Sequence, residues 1–92
     1  MLFEWDSAKA AANLHKHGVA FEDAVRVFAD PGHISDVDRI ENGEMRWQTI
    51  GMVDGVRLLL VAHTWRDGDG AEIIRIISAR KAERHERRRY EH

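Results

Sequence analysis

Residues 73–92 read IIRIISARKAERHERRRYEH, and this stretch decides the prediction of the fold. Its first five residues are an apolar, β-branched run that only Arg75 interrupts, a pattern typical of a strand. We predict that this last strand covers Glu72–Ile77, and Ser78 is a suitable N-cap for a helix that follows at once. The helix carries a base at nearly every second position and Tyr90 near its end. The sequence therefore predicts a strand that leads directly into a strongly basic terminal helix.

The charge of the chain is unevenly distributed. Residues 1–72 hold 7 Lys/Arg against 13 Asp/Glu, a formal charge of −6, whereas residues 73–92 hold 7 against 3, a formal charge of +4. A local positive field on an acidic body attracts either polyanions or an acidic protein partner. The alternative is a solvated helix face stabilised by pairs such as Glu83–Arg87.

Length and composition indicate one small domain, residues 1–92, without disulfides. Ninety-two residues provide a single modest core, and the absence of cysteine excludes disulfides and thiolate metal sites. The acidic start does not have the basic residues of a signal peptide, and no apolar run is long enough to cross a membrane. We expect a cytoplasmic, soluble protein that is stabilised by oligomerisation or by tight binding to a partner.

The hydrophobic pattern predicts the order βααββββα. Leu2–Trp5 is a short apolar strand, and Ser7–His17 is a helix that begins after Asp6 and ends at Gly18. A second helix has one apolar face at i, i+3, i+4 and i+7, and four strands follow. The apolar face of this helix consists of Phe21, Ala24, Val25 and Phe28. The predicted strands are Ile34–Arg39, Arg46–Met52, Val56–Trp65 and Glu72–Ile77. This order predicts an α+β fold, a mainly antiparallel sheet with helices packed on one face, and the uncovered face is available for a site.

Several chemistries are not supported by the residues. His15 and His17 are two apart on a helix and point to different sides, and no HExxH pattern exists, so we expect no metal site and no cofactor. The serines lack the strained turn of a catalytic nucleophile. RNA, however, can be cleaved without metal, because the ribose 2′-OH supplies the nucleophile. The protein then needs a proton acceptor, cations for the phosphate and a donor for the leaving oxygen. The residues that can supply these are His63, Arg57, Arg66, Arg75, Arg80 and Tyr90.

The alternation along Val56–Trp65 suggests where these residues point. The phase with Val56, Leu58, Leu60 and Ala62 is uniformly apolar and is predicted to face the helices. Arg57 and His63 belong to the other phase and are therefore expected on the uncovered face, beside Arg75 of the last strand. Packing or hydrogen bonding is an equally good explanation of His63. The alternative for Arg75 is an exposed strand residue or a sheet-edge ion pair. Lys16 and His17 either bind phosphate or complement the dipole of the first helix.

Four segments of the chain resemble the BrnT group of bacterial type II toxins. They are FEWDSAKAAANLHKHGVAFEDAVRVFADP, RWQTIG, LLLVAHTWR and IIRIISARKAERHERRRY, which together span Phe3 to Tyr90. The resemblance implies a fold similar to RelE-like ribonucleases and a protein that cleaves RNA and arrests translation. It also implies a BrnA antitoxin, a ribbon-helix-helix DNA-binding protein that neutralises the toxin and, together with it, represses their operon.

The resemblance implies functional positions in three of these segments. It points to Lys16 and His17, to His63 and Arg66, and to Arg75 and Arg80, while the looser comparison with RelE-like toxins adds Arg57 and Tyr90. The hypothesis is a metal-independent endoribonuclease toxin. In it Arg75 and Arg80 bind the scissile phosphate, and Arg66 and Arg57 bind flanking phosphates. His63 is general base or acid, and Tyr90 positions the ribose or leaving group. Lys16 and His17 help to bind RNA.

The rival hypothesis is a non-catalytic module that binds its antitoxin through the basic helix. Both hypotheses imply a hetero-oligomer with the antitoxin, contact with DNA only through it, and no association with a membrane.

Overall fold

The computed structural model describes residues 1–91 and has the predicted element order. A five-residue α2 continues into a 3₁₀ turn, and the last strand is followed by a short terminal helix. The elements are β1 (Leu2–Glu4), α1 (Ser7–His17), α2 (Phe21–Val25), the 3₁₀ turn (Arg26–Ala29), β2 (Ile34–Glu41), β3 (Glu44–Val53), β4 (Arg57–Asp67), β5 (Glu72–Lys81) and α3 (Arg84–Glu91).

The five strands form one mixed sheet in the order β1-β5-β4-β3-β2. β1 runs parallel to β5, with Phe3 beside Ile74, whereas the other three pairs are antiparallel. The first strand therefore lies at one edge next to the last, and the β2–β3 hairpin forms the other edge.

Local signals explain the bounds of α1. The Asp6 side chain accepts a hydrogen bond from Lys9 N at 2.9 Å, which caps the first turn. Gly18 has a φ of 69°, and its N–H donates to Leu14 O at 2.9 Å, so the helix ends in the left-handed conformation that glycine adopts easily.

Helices lie on both faces of the sheet, which corrects the expectation of a single covered face. α1, α2 and the 3₁₀ turn cover the main core, in which Phe21 and Val27 pack on Leu59 and Val61. A Cβ added to Gly51 would lie only 2.7 Å from Val27 Cγ1, so glycine permits the close approach of the 3₁₀ turn to β3. On the other face a smaller cluster is covered by the last turn of α3; it contains Ile50, Leu58, Leu60 and Tyr90.

The predicted orientation of β4 is therefore wrong. Leu59 and Val61 face α1 and α2, whereas Leu58 and Leu60 face α3, and Val56 lies exposed in the turn before the strand. The physical reason is that both phases of β4 are buried. A strand that is apolar on both sides carries no alternation from which its inner face can be read.

The last strand is also longer than predicted. β5 continues to Lys81, and Ser78 pairs with Ala62 inside the sheet, so Ser78 is not the cap of the terminal helix. The pairing shifts by one residue at Ile77, which forms a β-bulge. The cap of α3 is supplied instead by Glu86, whose carboxylate accepts a hydrogen bond from Glu83 N at 2.8 Å.

Within residues 1–91, none of the helices has the length and apolar character needed to cross a bilayer.

Candidate nucleic-acid interface

Five arginines from β3, β4, β5 and α3 share the side of the sheet that α3 partly covers. Successive side chains of a strand alternate between faces, so the positions that share a face with Ile50 and Leu60 can be followed along each strand. The arginines that these four elements place on this side are Arg46, Arg66, Arg75, Arg80 and Arg89, and we call them the arginine face; Arg39 of β2 lies beside Arg46 at its edge. The sequence pointed to three of the five, and the fold brings them together with Arg46 and Arg89.

A shallow floor lies between α3 and the outer arginines. Gln48, Ala62 and Ser78 form one row across β3, β4 and β5, and all three residues are half-buried. Arg75 lies beyond this row on one side, and Arg80 lies on the side of α3. Because neighbouring strands are about 4.8 Å apart, the floor is about 10 Å wide, which suits an extended nucleotide chain.

Most of these arginines pair with carboxylates that are themselves accessible. Arg75 Nη2 lies 3.0 Å from Glu44 Oε1, Arg66 Nη1 lies 3.3 Å from Glu4 Oε2, and Arg89 contacts Asp36. Half-exposed ion pairs of this kind contribute little to stability, and guanidinium groups bind phosphate with the same geometry as carboxylate. The pairs therefore hold the arginines in place, and another anion can exchange with the carboxylates.

Arg80 differs, because it connects the terminal helix to the sheet. Its two Nη atoms donate to the two oxygens of Glu86, both at 2.8 Å, and Glu86 is only 4% exposed. The hydrogen bond from Arg80 lowers the pKa of Glu86 below its usual value, and the same bond raises the pKa of Arg80. Arg80 is thus partly buried and holds the terminal helix against the sheet.

Tyr90 is held at the far end of the same side. Its hydroxyl donates to Asp30 Oδ2 at 2.7 Å, beside a shallow cavity of 440 Å³. Asp30 also accepts hydrogen bonds from Met52 N and Gly32 N at 2.8 and 2.9 Å. Desolvation opposes ionisation of Asp30, but these hydrogen bonds outweigh it and lower its pKa, while the bond to Asp30 raises the pKa of Tyr90. The phenol is therefore engaged in anchoring α3 to the loop before β2.

His63 lies on the opposite face, fully buried under the 3₁₀ turn, so its predicted place on the uncovered face is wrong. Its ring packs edge-on against Phe28 with centroids 5.0 Å apart. Nδ1 donates to Thr64 O at 3.0 Å, and Nε2 accepts from the Thr49 hydroxyl at 2.7 Å. Burial lowers the pKa of His63, which favours the neutral ring. These contacts match the packing explanation of this histidine.

Arg57 lies on the same face as His63, whereas it was expected on the uncovered face. Its Nη2 lies 3.4 Å from Asp23 Oδ2 of α2. The pair links the start of β4 to the helical layer and points away from the arginine face.

Lys16 and His17 lie at a third place, beside the outer edge of β5. With Lys9 they line a groove of 200 Å³ whose floor is formed by Ile77 and Ser78. Ser78 also belongs to the floor of the arginine face. The groove and that face therefore share Ser78.

One group of side chains has the spacing of a metal site. Ligand atoms of Glu83, His85 and Glu86 lie within 4.8 Å of one another. Both Glu86 oxygens, however, already accept hydrogen bonds from Arg80, and one also accepts from Glu83 N. A cation would have to break the attachment of α3, so the group fits its structural role better.

Four residues on or near this side carry contacts that were not predicted from the sequence: Arg46, Gln48, Thr64 and Asp30. The signal for the first two was present, because Glu44, Arg46 and Gln48 are polar at every second position of β3. Thr64 and Asp30 carried no local signal, since their roles come from contacts with distant parts of the chain.

The chain is similar to known proteins both in sequence and in fold. A family model described as ribonuclease toxin, BrnT, of type II toxin-antitoxin system matches residues 5–86. The Brucella abortus ribonuclease toxin BrnT, whose crystal structure has 1.1 Å resolution, is 26% identical in sequence to this chain. The two structures superpose with a TM-score of 0.63. That match covers 91% of this chain and 100% of the other. A search of curated proteins finds no match.

Proposed function

Because the chain belongs to the BrnT family of ribonuclease toxins of type II toxin–antitoxin systems, we propose that it is a metal-independent endoribonuclease whose arginine face binds the RNA backbone. The observation that carries the proposal is the convergence of five arginines from four elements on one side of the sheet. Guanidinium groups recognise phosphate oxygens through paired hydrogen bonds, and several in one groove bind several successive phosphates. Cleavage of messenger RNA by this surface would arrest translation.

The chemistry uses the ribose of the substrate. The 2′ hydroxyl gives its proton to water and its oxygen bonds to the adjacent phosphorus, the bond from phosphorus to the 5′ oxygen breaks, and that oxygen takes a proton from water. The products are a 2′,3′-cyclic phosphate and a 5′-hydroxyl. Negative charge accumulates on the phosphorane, and fixed cations that face it stabilise the transition state. In this proposal Arg75 and Arg80 neutralise that charge, Arg66 binds a flanking phosphate, and Lys16 and His17 bind the RNA where it passes the edge of β5.

The proposal gives His63, Tyr90 and Arg57 structural roles in place of the roles first suggested. His63 is covered by the 3₁₀ turn and both of its ring nitrogens are hydrogen-bonded, while the Tyr90 hydroxyl is bonded to Asp30. Arg57 lies on the helical side, paired with Asp23. None of the three side chains is directed at a phosphate on the arginine face.

The test is cleavage of RNA by purified chain in excess EDTA. We expect cleavage to persist and the products to carry 2′,3′-cyclic phosphate or 3′-phosphate ends. Activity that disappears in chelator and returns with Mg²⁺, or 3′-hydroxyl ends, would contradict the mechanism. Arg26→Ala provides a matched control, because Arg26 is an exposed arginine of the 3₁₀ turn on the opposite face of the sheet.

We further propose that the antitoxin is a BrnA-like ribbon-helix-helix protein that contacts DNA while the toxin does not. Its toxin-binding segment would carry acidic residues for the cations of 75–89 and apolar residues for the β2–β3 hairpin, where Val37, Ile40 and Met45 are exposed. A stable complex should bury about 1,200–2,000 Å². Association should slow as salt rises, because charge steers the encounter. Recovery of free monomer only, after co-expression with the neighbouring gene, would refute the partner.

The same exposed hairpin favours the second candidate, a non-catalytic antitoxin-binding module. Exposed apolar side chains at a sheet edge are typical of protein contacts. This candidate predicts a tight antitoxin complex together with purified chain that leaves RNA intact, so the cleavage assay separates the two.

A further inference from the structure

Two polar atoms at the centre of the arginine face are buried without a hydrogen-bond partner. In the described part of the chain, only Arg46 Nε, Arg57 Nε and Thr64 Oγ1 are in this state. Arg57 lies on the opposite face, but Arg46 and Thr64 are neighbours on adjacent strands. Buried donors are nearly always satisfied in folded proteins, so two unpaired donors side by side indicate a place built for a polar ligand.

The strand register places these atoms in one row with Arg75. Thr64 pairs directly with Arg75 on β5. On the other side, Trp47 pairs with His63, so the next position in the antiparallel register sets Arg46 opposite Thr64. The row Arg46–Thr64–Arg75 therefore has a hydroxyl in the middle and a guanidinium on each side, with about 4.8 Å between strands.

A carboxylate oxygen already shows which kind of atom this row attracts. Glu44 Oε1 lies 3.0 Å from Arg75 Nη2 and 3.9 Å from Arg46 Nη2, so one anionic oxygen is shared by both guanidinium groups. Glu44 is at the start of β3, next to the turn, and its side chain is 40% exposed. It can move away at little cost, because such an accessible pair is weak.

We propose that Arg46, Thr64 and Arg75 form a binding centre for one phosphate group of RNA, which Glu44 occupies when no RNA is bound. The two guanidinium groups donate to the non-bridging oxygens, and the Thr64 hydroxyl supplies a third donor from below. The inference rests on the proposed function, which identifies the ligand as an RNA phosphodiester. It assigns roles to Arg46 and Thr64, and it makes the Glu44 carboxylate a competitor of the substrate.

The decisive variant is Thr64→Val, because valine has nearly the same shape and lacks only the hydroxyl. We expect the melting temperature to be unchanged or higher, since an unpaired buried hydroxyl is removed, while RNA binding weakens about tenfold or more. Binding is measured with a non-cleavable 2′-O-methyl RNA, and cleavage with ordinary RNA. Arg46→Ala should weaken binding in the same way, whereas Arg26→Ala, which removes an exposed arginine of the 3₁₀ turn on the opposite face, should not.

Inorganic phosphate provides a readout that does not depend on cleavage. When phosphate is titrated, the NMR resonance of Arg46 Nε should shift in the wild-type chain. In Thr64→Val the same resonance should shift less. Glu44→Gln should bind phosphate several-fold more tightly, because the competing charge is gone.

If phosphate shifts Arg46 Nε but RNA stays intact, the centre stands and the proposed ribonuclease function fails. If both variants bind and cleave RNA as the wild type does, the centre is refuted while the ribonuclease function stands. If Glu44→Gln binds phosphate no more tightly than the wild type does, Glu44 does not compete with phosphate for this centre.

Discussion

The side-chain amide of Asn13 makes the two hydrogen bonds with Ala79 that a neighbouring strand would make. Asn13 Oδ1 accepts from Ala79 N at 3.1 Å, and Asn13 Nδ2 donates to Ala79 O at 2.9 Å. The amide also donates to Val19 O at 2.9 Å, so it satisfies the loop between α1 and α2 as well. β1 pairs with β5 only as far as Arg75, and Asn13 thus takes the place of β1 further along the same edge.

Replacing Asn13 should therefore destabilise the whole fold. Asn13→Ala leaves three buried backbone groups without partners, and we expect the free energy of unfolding to fall by about 2–4 kcal/mol, measured by urea denaturation. Asn13→Asp should be comparably harmful, because a carboxylate cannot donate to the two carbonyl oxygens. Leu14→Ala, at a half-exposed neighbouring position, is the control and should cost much less. An Asn13→Ala protein as stable as this control would contradict the role.

The two central arginines should respond differently to substitution. Arg75→Ala removes a half-exposed side chain and should leave stability nearly unchanged, while the transition state for RNA cleavage loses about 2–4 kcal/mol. Arg80→Ala should slow cleavage and, unlike Arg75→Ala, should lower the free energy of unfolding by about 1–3 kcal/mol, because it leaves the Glu86 carboxylate buried without its partner. Thermal melts and cleavage rates of both variants test this.

The double variant Arg80→Ala/Glu86→Gln separates the two effects of Arg80. Stability should recover in part, since no buried charge remains, but cleavage should stay slow. Full recovery of cleavage would show that Arg80 acts only through the attachment of α3, and unimpaired cleavage by Arg75→Ala would show that the site is misplaced.

Tyr90→Phe should reduce stability more than activity. The variant removes one hydrogen bond to Asp30 and keeps the ring that packs on Ile50 and Leu60, so we expect a loss of about 0.5–1.5 kcal/mol. The rate constant for cleavage, measured well below the melting temperature, should be close to that of the wild type. A large loss of rate in a well-folded Tyr90→Phe protein would instead support a catalytic hydroxyl.

The buried His63 should make the protein sensitive to mild acid. Its pKa is lowered in the fold by burial, against 6.5 for an unperturbed histidine, so below about pH 6.5 the unfolded chain binds a proton that the folded chain does not. Stability should thus fall as the pH drops from about 7 through the unfolded-state value, until the folded-state pKa is reached.

The variant His63→Gln tests this assignment. It should be less stable than the wild type at neutral pH but should show a smaller loss of stability between about pH 7 and about pH 5.5, as followed by urea denaturation. An identical pH profile in the two proteins would rule out His63 as the source.

Features set by neighbouring residues were predictable from the sequence. The Asp6 cap and Gly18 bound α1, Asp54-Gly55 forms the turn before β4, and the change of hydrophobic period after Pro31 marks the start of the strands. Each depends on the conformational preferences of a few consecutive residues, which do not need the rest of the fold. The resemblance of four segments to the BrnT group likewise placed the chain in its family, which the family model confirms.

Only the tertiary structure decided which side chains meet. β4 is apolar in both phases, so its sequence was compatible with either face toward α1 and α2, and the choice put His63 and Arg57 on one side and Arg66 on the other. Asn13 and Ala79 are 66 residues apart, and the row of Arg46, Thr64 and Arg75 exists only once three strands are in register. Such contacts follow from burial of the whole core and from strand pairing over long separations, which no local pattern in the sequence records.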